Sequence, residues 1–186
     1  KEKAGKYIDF LNANAYDKER DVRTNIAGEF QKSNLAAALQ TAELICGRLD
    51  EDKIYEALSQ IRISGRMEEI APGIIVDVSH NIQGMQGFVQ TVEANYHGMK
   101  KRILFAASHQ NEEEYMKNIL KTIPEIEAFY TVGIHKRRIN EAEFQDAFRK
   151  MIDRNQETTV CFVVGSFYLA GMAKEFINQE EENVRL

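Results

Sequence analysis

Apolar and polar positions alternate along the chain in two different periods, and the clearest change of period lies at Asp77. Residues 74–76 are a β-branched apolar run, whereas apolar residues from Asn81 to Tyr96 recur at 3.6-residue spacing. The run is typical of a strand buried on both faces, and the spacing is typical of a helix whose N-cap is Asn81. A buried strand that ends on an acidic residue and leads into a helix is how open α/β sheets present a nucleotide site.

The same alternation continues along the rest of the chain. Strands alternating with helices at this spacing imply a largely parallel sheet with right-handed crossovers. The predicted fold class is therefore α/β, a Rossmann-like, mostly parallel sheet with helices on both faces. The other predicted strands are 21–27, 67–70, 102–107, 128–132 and 158–164, and the other predicted helices are 33–47, 52–60, 113–122, 141–154 and 166–177.

Length, composition and charge narrow the class of protein. The chain has 186 residues, 44% of them hydrophobic and 28% charged, with a formal net charge of −5. This suits one well-filled core, and the absence of a Lys/Arg block with interleaved aromatics argues against nucleic-acid binding. No apolar run approaches the ~18 residues needed to cross a bilayer, and no signal-peptide pattern opens the sequence. We expect a cytoplasmic protein with no membrane partner.

The two cysteines, Cys46 and Cys161, lie in apolar segments far apart in the sequence. Neither has metal-ligand spacing, so both are predicted to be reduced core residues. For Cys46 the prediction depends on an apolar stripe along the helix at 33–47, formed by Leu35, Ala38, Leu39, Ala42, Ile45 and Cys46.

Polar residues follow three of the predicted parallel strands. The first loop holds Asp77, Ser79, His80 and Asn81, the second is 108–111, and the third is 165–166. Because parallel strands point the same way, these loops should meet at one sheet edge, which is the usual binding crevice.

Each of these residues also has a purely structural interpretation. Asn81 and Ser166 are in place to cap helices, and Asp77 is in place to form an Asx-turn. His80 has no second histidine or cysteine at metal spacing, so no metal role is predicted for it.

Five short motifs point beyond the fold, because they occur together in a fixed order between about residues 25 and 176. They resemble the carboxyl-terminal domain of folylpolyglutamate synthase/dihydrofolate synthase, in the Mur ligase superfamily. The motifs are Gly28-Glu-Phe-Gln-Lys-Ser-Asn34, Ala36-Ala-Ala-Leu39, Gly65-Arg66-Met67-Glu68, Val76-Asp77-Val-Ser-His80-Asn81 and Val164-Gly-Ser-Phe-Tyr-Leu169.

The resemblance implies an ATP-dependent ligase that joins L-glutamate to a folate carboxylate through an acyl phosphate. In this family the amino-terminal domain carries the phosphate loop and most magnesium ligands, and the enzymes are usually monomers. On this view residues 1–24 are a linker from that domain, 25–177 are the carboxyl-terminal domain, and 178–186 are a polar tail. Since the first residue is Lys1 and the first thirty residues contain little that could close a core, we expect a piece of a longer enzyme, inactive alone.

The resemblance also assigns roles residue by residue. Asn34 resembles the family's adenine- or phosphate-side asparagine, Arg66 its phosphate-contacting arginine, and Asp77 its ribose-binding aspartate. His80 and Ser166 resemble residues near the incoming glutamate. Arg66 and His80 are thus the predicted catalytic residues, and no metal ligand is assigned to this chain.

The Arg66 side chain suits its implied role, because a guanidinium offers a rigid fork of donors to phosphate oxygens. A structural alternative is a surface arginine paired with Glu68 or Glu69.

Three departures from the family pattern leave other functions open. Val78 stands where the family has glycine, and 108–112 replace its Asp-Lys-Asp loop. No Gly-x-x-x-x-Gly-Lys-Ser/Thr occurs in the 186 residues. The alternatives are a degenerate, non-catalytic nucleotide- or ligand-binding module and a cell-wall amino-acid ligase domain of the Mur type.

Overall fold

The computed structural model describes residues 29–61, 63–135, 138–152 and 158–184. Two compact units divide the chain between Arg62 and Ile63, and each is described by itself. This division lies inside the range predicted as one domain, and that domain assignment stays a prediction. The predicted strand at 21–27 and the linker at 1–24 lie outside the described residues.

The described residues of the first unit form two helices, α1 (Glu29–Cys46) and α2 (Glu51–Gln60). Helix α2 begins at its N-cap Asp50, whose carboxylate accepts a hydrogen bond from the Lys53 N–H. The predicted stripe on α1 is wrong at its carboxyl end, because Ile45 is 78% exposed and Cys46 is exposed. Cys46 is therefore not a core residue.

The second unit is a five-stranded sheet in the order β1-β2-β7-β3-β4. Strand β1 runs antiparallel to β2, and the other neighbours are parallel. The elements are β1 (Glu68–Ala71), β2 (Ile74–Asp77), α3 (Ile82–Asn95), β3 (Lys100–Phe105), α4 (Glu113–Leu120), β4 (Ile126–Thr131), β5 (Ile134–His135), β6 (Arg138–Ile139), α5 (Glu141–Ile152), β7 (Thr159–Val164) and α6 (Phe167–Val184). A short 3-10 turn, Gln110–Glu112, precedes α4, and β5 and β6 form a separate antiparallel pair.

Two apolar clusters cover the two faces of this sheet. One packs α5 and α6 against β2, β3 and β7, and the other packs α3 and α4 against the opposite face of the same strands. Strands β2 and β7 are buried along their whole length, as expected of strands covered by helices on both sides. The predicted α/β fold with a mostly parallel sheet is confirmed.

Cys161 lies in the middle of β7 and is fully buried. Burial raises the pKa of its thiol to about 11, so the sulfur stays protonated and unreactive. Its predicted place in the core is confirmed. At the other end of the unit, α6 continues to Val184, so most of the predicted polar tail is helical.

Candidate functional site

Three strands end in one row at the carboxyl edge of the sheet. Asp77 of β2 pairs with Val164 of β7, and Val164 pairs with Phe105 of β3. The Ala106 N–H then donates to the Val164 carbonyl at 3.2 Å, which keeps the second and third loops side by side. The predicted convergence of the three loops is therefore present.

The Asp77 carboxylate is buried and engaged by the backbone on both oxygens. Oδ1 accepts a hydrogen bond from the Ser79 N–H at 2.8 Å, and Oδ2 accepts one from the Met67 N–H at 3.0 Å. The first bond is the Asx-turn anticipated from the sequence. The second ties the start of β1 to the end of β2, so Asp77 organises the loop whether or not it also binds a ribose.

Arg66 lies in the turn before β1, next to the end of β2. The antiparallel pairing sets Glu68 opposite Val76, and the Gly65 carbonyl accepts a hydrogen bond from the Val78 N–H at 2.8 Å. Within the described part of the chain, no hydrogen bond or ion pair engages the Arg66 guanidinium. A part-exposed cation at a strand end is therefore available to an anion from outside this unit.

The alternative pairing of Arg66 with neighbouring glutamates is not what the structure contains. Glu68 accepts hydrogen bonds from the Lys174 ammonium at 2.7 Å and from the Gly65 N–H at 2.5 Å. Burial alone would raise the pKa of Glu68, but these bonds outweigh it and hold that pKa below its usual 4.5. Glu69 instead accepts a hydrogen bond from the Gly73 N–H at 2.9 Å.

The His80 ring is oriented by its own loop. Nδ1 lies 3.0 Å from the Val78 carbonyl oxygen, and the ring centroid lies 5.4 Å from that of Phe167 at the start of α6. Because a carbonyl only accepts, Nδ1 donates this hydrogen bond, and in the matching neutral tautomer Nε2 is the acceptor. Such a nitrogen can receive a proton from an amine.

Helix caps account for two of the predicted site residues. Asn81 Oδ1 accepts a hydrogen bond from the Gly84 N–H at 2.7 Å, and Ser166 Oγ accepts one from the Tyr168 N–H at 3.1 Å. Ser166 is fully buried, so its hydroxyl serves helix α6 in this arrangement. A contact between Ser166 and glutamate stays a prediction.

Asn34 belongs to the first unit, where it is exposed on α1. The edge just described belongs to the second unit, which contains Arg66, Asp77, His80 and Ser166. The predicted nucleotide role of Asn34 stays a prediction.

Ser79 differs from its neighbours because its hydroxyl is buried and has no hydrogen-bond partner within the described residues. Leaving a buried hydroxyl unpaired costs about 1–3 kcal/mol. We therefore expect Ser79→Ala to raise the free energy of unfolding by about 1 kcal/mol, measured by urea denaturation. Ser166→Ala is the matched control, and we expect it to lower that free energy by about 1 kcal/mol because it removes a cap. Equal signs for the two variants would contradict this account.

Gly165 is the residue that lets β7 turn into α6. Its φ is +109°, and a Cβ there would lie 2.5 Å from the Ala106 carbonyl oxygen and 2.7 Å from Phe105 Cε2.

We expect Gly165→Ala to lower the free energy of unfolding by about 3 kcal/mol, because strain from positive φ and the steric clash add together. The control is Gly171→Ala on α6, where a Cβ meets nothing within 4 Å. That substitution should raise stability by about 0.5–1 kcal/mol. Urea denaturation of both variants tests the pair, and a Gly165→Ala variant as stable as the parent would contradict it.

Away from this edge, the described residues form a second groove, but they contain no metal-binding group and no membrane-spanning helix. A surface groove between β6, α5 and α6 is lined by Ile139, Phe144, Met172 and Phe176 with glutamate and glutamine side chains at its rim. No group of three or more His, Cys, Asp or Glu side chains among the described residues could hold a metal ion. No described helix is long and apolar enough to span a membrane.

Comparison with known proteins gives the edge its context. No family model matches the chain. The dihydrofolate synthase/folylpolyglutamate synthase of Bacillus subtilis (strain 168) is 23% identical over 109 residues, which are 55% of this chain and 25% of the relative. Among solved structures, Escherichia coli FolC in complex with DHPP and ADP aligns with a TM-score of 0.70 at 17% identity. That alignment covers 80% of this chain and 39% of FolC.

A complex of folylpolyglutamate synthase with AMPPCP and folate aligns with a TM-score of 0.67 at 20% identity. It covers 83% of this chain and 38% of that one. The resemblance to folylpolyglutamate synthases is confirmed. At these identities the likeness to folylpolyglutamate synthase structures establishes the fold, and the chain spans well under half the length of the proteins it matches.

One contact next to this edge could not be predicted from the sequence. Lys174 contacts Ser64 and Glu68 across 110 and 106 residues of chain, and these contacts surround the turn that carries Arg66. A lysine in a charged helix is typical of a solvated face, so only the tertiary structure reveals the contact.

Proposed function

We propose that this chain is the carboxyl-terminal part of an ATP-dependent ligase that adds L-glutamate to a folate carboxylate through an acyl phosphate. The observation that carries the proposal is the Arg66 guanidinium, which has no hydrogen bond or ion pair within the described residues. It extends from the turn that Asp77 holds through the Met67 N–H at the carboxyl edge of the sheet. An available cation with a planar fork of donors suits a phosphate group at this edge, and the family likeness supplies ATP as the source of that phosphate. Dihydropteroate and tetrahydrofolate are the proposed acceptor class.

The proposed division of labour follows from the side chains present. Arg66 would stabilise charge on the transferring phosphoryl group, and Asp77 would accept hydrogen bonds from ribose hydroxyls with its remaining lone pairs. His80 Nε2 would take the proton from the incoming amine of glutamate. Asn34 and Ser166 would complete the nucleotide and glutamate sides.

Following the family likeness, the proposal assigns most Mg²⁺ ligands to an amino-terminal domain joined through residues 1–24. Residues 25–177 then form the carboxyl-terminal domain of a cytoplasmic monomer. The 186-residue chain alone is expected to lack activity, and glutamate-dependent ATP hydrolysis by it would contradict that expectation.

The deciding experiment measures ADP release by the protein expressed from the complete gene. Release that requires both a folate and L-glutamate supports the ligase. Release that requires neither would contradict the ligase, and release that requires another amino acid in place of glutamate would assign a different amino-acid substrate.

A second candidate is a non-catalytic ligand-binding module, and the hydrogen bonds of two residues favour it. Asp77 and Ser166 both engage backbone N–H groups, which gives each a structural reason to be present. Such a module would bind ADP, as measured by isothermal titration calorimetry, and would show no folate-dependent turnover. Turnover that depends on Arg66 excludes it.

A further inference from the structure

One ammonium group links helix α6 to the turn that carries Arg66. Lys174 Nζ lies 2.6 Å from Ser64 Oγ, 2.7 Å from Glu68 Oε1 and 2.6 Å from Glu68 Oε2. Glu68 Oε2 also accepts the Gly65 N–H at 2.5 Å. We call these four residues, Ser64, Gly65, Glu68 and Lys174, the lysine clamp. The clamp therefore spans the turn from its first residue to the start of β1.

This turn needs external support because its backbone is unusual. Gly65 has a φ of +74° and Met67 a φ of +45°, so Arg66 lies between two residues in the left-handed region. For a side chain such as methionine, that conformation costs about 1–3 kcal/mol and persists only where neighbouring contacts impose it. The contacts here are the lysine clamp on one side and the Asp77 bond to the Met67 N–H on the other.

The Arg66 side chain has no such support of its own. Its guanidinium makes no hydrogen bond or ion pair within the described chain, so the backbone of the turn is what sets the point from which the side chain extends. Any loosening of the clamp therefore shifts the point from which the Arg66 side chain reaches a phosphate. A displacement of about 1 Å in a catalytic group can cost a hundredfold in rate.

Helix α6 joins the two halves of the candidate site. Its first turn contains the Ser166 cap and the Phe167 ring beside His80, and eight residues later Lys174 holds the Arg66 turn. We infer that Lys174 is a positioning residue that fixes Arg66 for phosphate contact. This inference rests on the proposed function for its effect on catalysis, while the contact itself is testable without any activity.

The first test is amide hydrogen exchange in the protein from the complete gene, with Lys174→Met compared with the parent. We expect about tenfold faster exchange at Gly65 in the variant, because Glu68, which accepts its N–H, loses the ammonium that holds it. Exchange at Met67 should also rise, because the turn that presents its N–H to Asp77 is loosened. The matched control is Lys150→Met, which removes an exposed ion pair with Asp146 on α5. Unchanged exchange at Gly65 and Met67 overturns the inference, whatever the activity of the protein.

The second test is a double-mutant cycle on folate- and glutamate-dependent ADP release. We expect Lys174→Met to lower kcat/KM for ATP about tenfold in the parent and less than about twofold in an Arg66→Ala background. Lys174→Arg should return the rate to within about threefold of the parent, because it restores a cation to the clamp. Additive losses overturn the inference that Lys174 acts through Arg66.

The two tests separate the inference from the proposed function. Faster exchange in Lys174→Met together with a parent protein that releases no ADP would contradict the ligase and leave the clamp supported. A parent that shows folate-dependent release, with exchange unaffected by Lys174→Met, would support the ligase and contradict the clamp.

Discussion

Replacing Arg66 with alanine in the full-length protein should lower folate- and glutamate-dependent ADP release by about a hundredfold. Removing one preorganised hydrogen-bond donor to the charge that develops in a transition state lowers kcat by roughly 10²–10³-fold. We expect a loss in that range for an arginine that contacts the transferring phosphoryl group. Thermal unfolding should stay unchanged, because the guanidinium makes no hydrogen bond or ion pair within the described chain. A loss of activity without a loss of stability is the diagnostic pattern.

Two further variants sharpen this result. Arg66→Lys should recover less than about a tenth of the lost rate, since an ammonium cannot reproduce the bidentate fork of a guanidinium. Arg149→Ala is the control for the loss of a surface arginine. Arg149 lies on α5, where its guanidinium packs over the Phe176 ring, away from the candidate site. If Arg66→Ala retained more than about a third of the parent rate, the assignment of the phosphate side would be wrong.

Replacing Asp77 with alanine should lower the free energy of unfolding by about 3 kcal/mol, because the N–H groups of Ser79 and Met67 then lack acceptors. The shift is measured as a change in urea midpoint at constant slope. Asp146→Ala is the control, because it removes an exposed carboxylate from a surface ion pair and should cost less than about 0.5 kcal/mol.

The Asp77 variant also tests what this carboxylate does for a nucleotide. If Asp77 binds ribose as well as the loop, Asp77→Asn should raise KM for ATP while costing less stability than alanine, since one oxygen acceptor survives. If Asp77→Ala were as stable as the parent, that result would contradict the two backbone hydrogen bonds that organise the loop.

Local patterns predicted the centre of this fold. The strand at 74–77 and the helix start at Asn81 follow from a β-branched run and a capping side chain, which act over a few residues. The meeting of three loops at one edge follows from the common direction of parallel strands. The residues of the edge were therefore found from sequence even though their exact contacts were not.

Helix α1 shows where the pattern failed. Its middle is rich in alanine, so several faces are weakly apolar and the spacing alone does not select the buried one. The structure buries Ala36 and exposes Ile45 and Cys46. The hydrophobic content of a helix thus indicates that one of its faces is buried. The elements that pack against the helix determine which face that is.

The helical extension to Val184 and the lysine clamp were missed for different reasons. The run 180–182 is acidic and looks like a solvated tail, yet glutamate is a good helix former and α6 continues through it. The clamp joins residues more than a hundred positions apart, and no local rule connects Lys174 with Glu68.

Strand β7 occupies the middle of the sheet although it is the last strand in the chain. During synthesis, β2 and β3 are made first and present unpaired edges until β7 is inserted between them. Nascent chains that stop before Thr159 would therefore expose two apolar strand edges, which are templates for aggregation. Emergence of β7 from the ribosome is then the event that completes the sheet, and slow translation of the segment between β3 and β7 would lengthen the vulnerable interval.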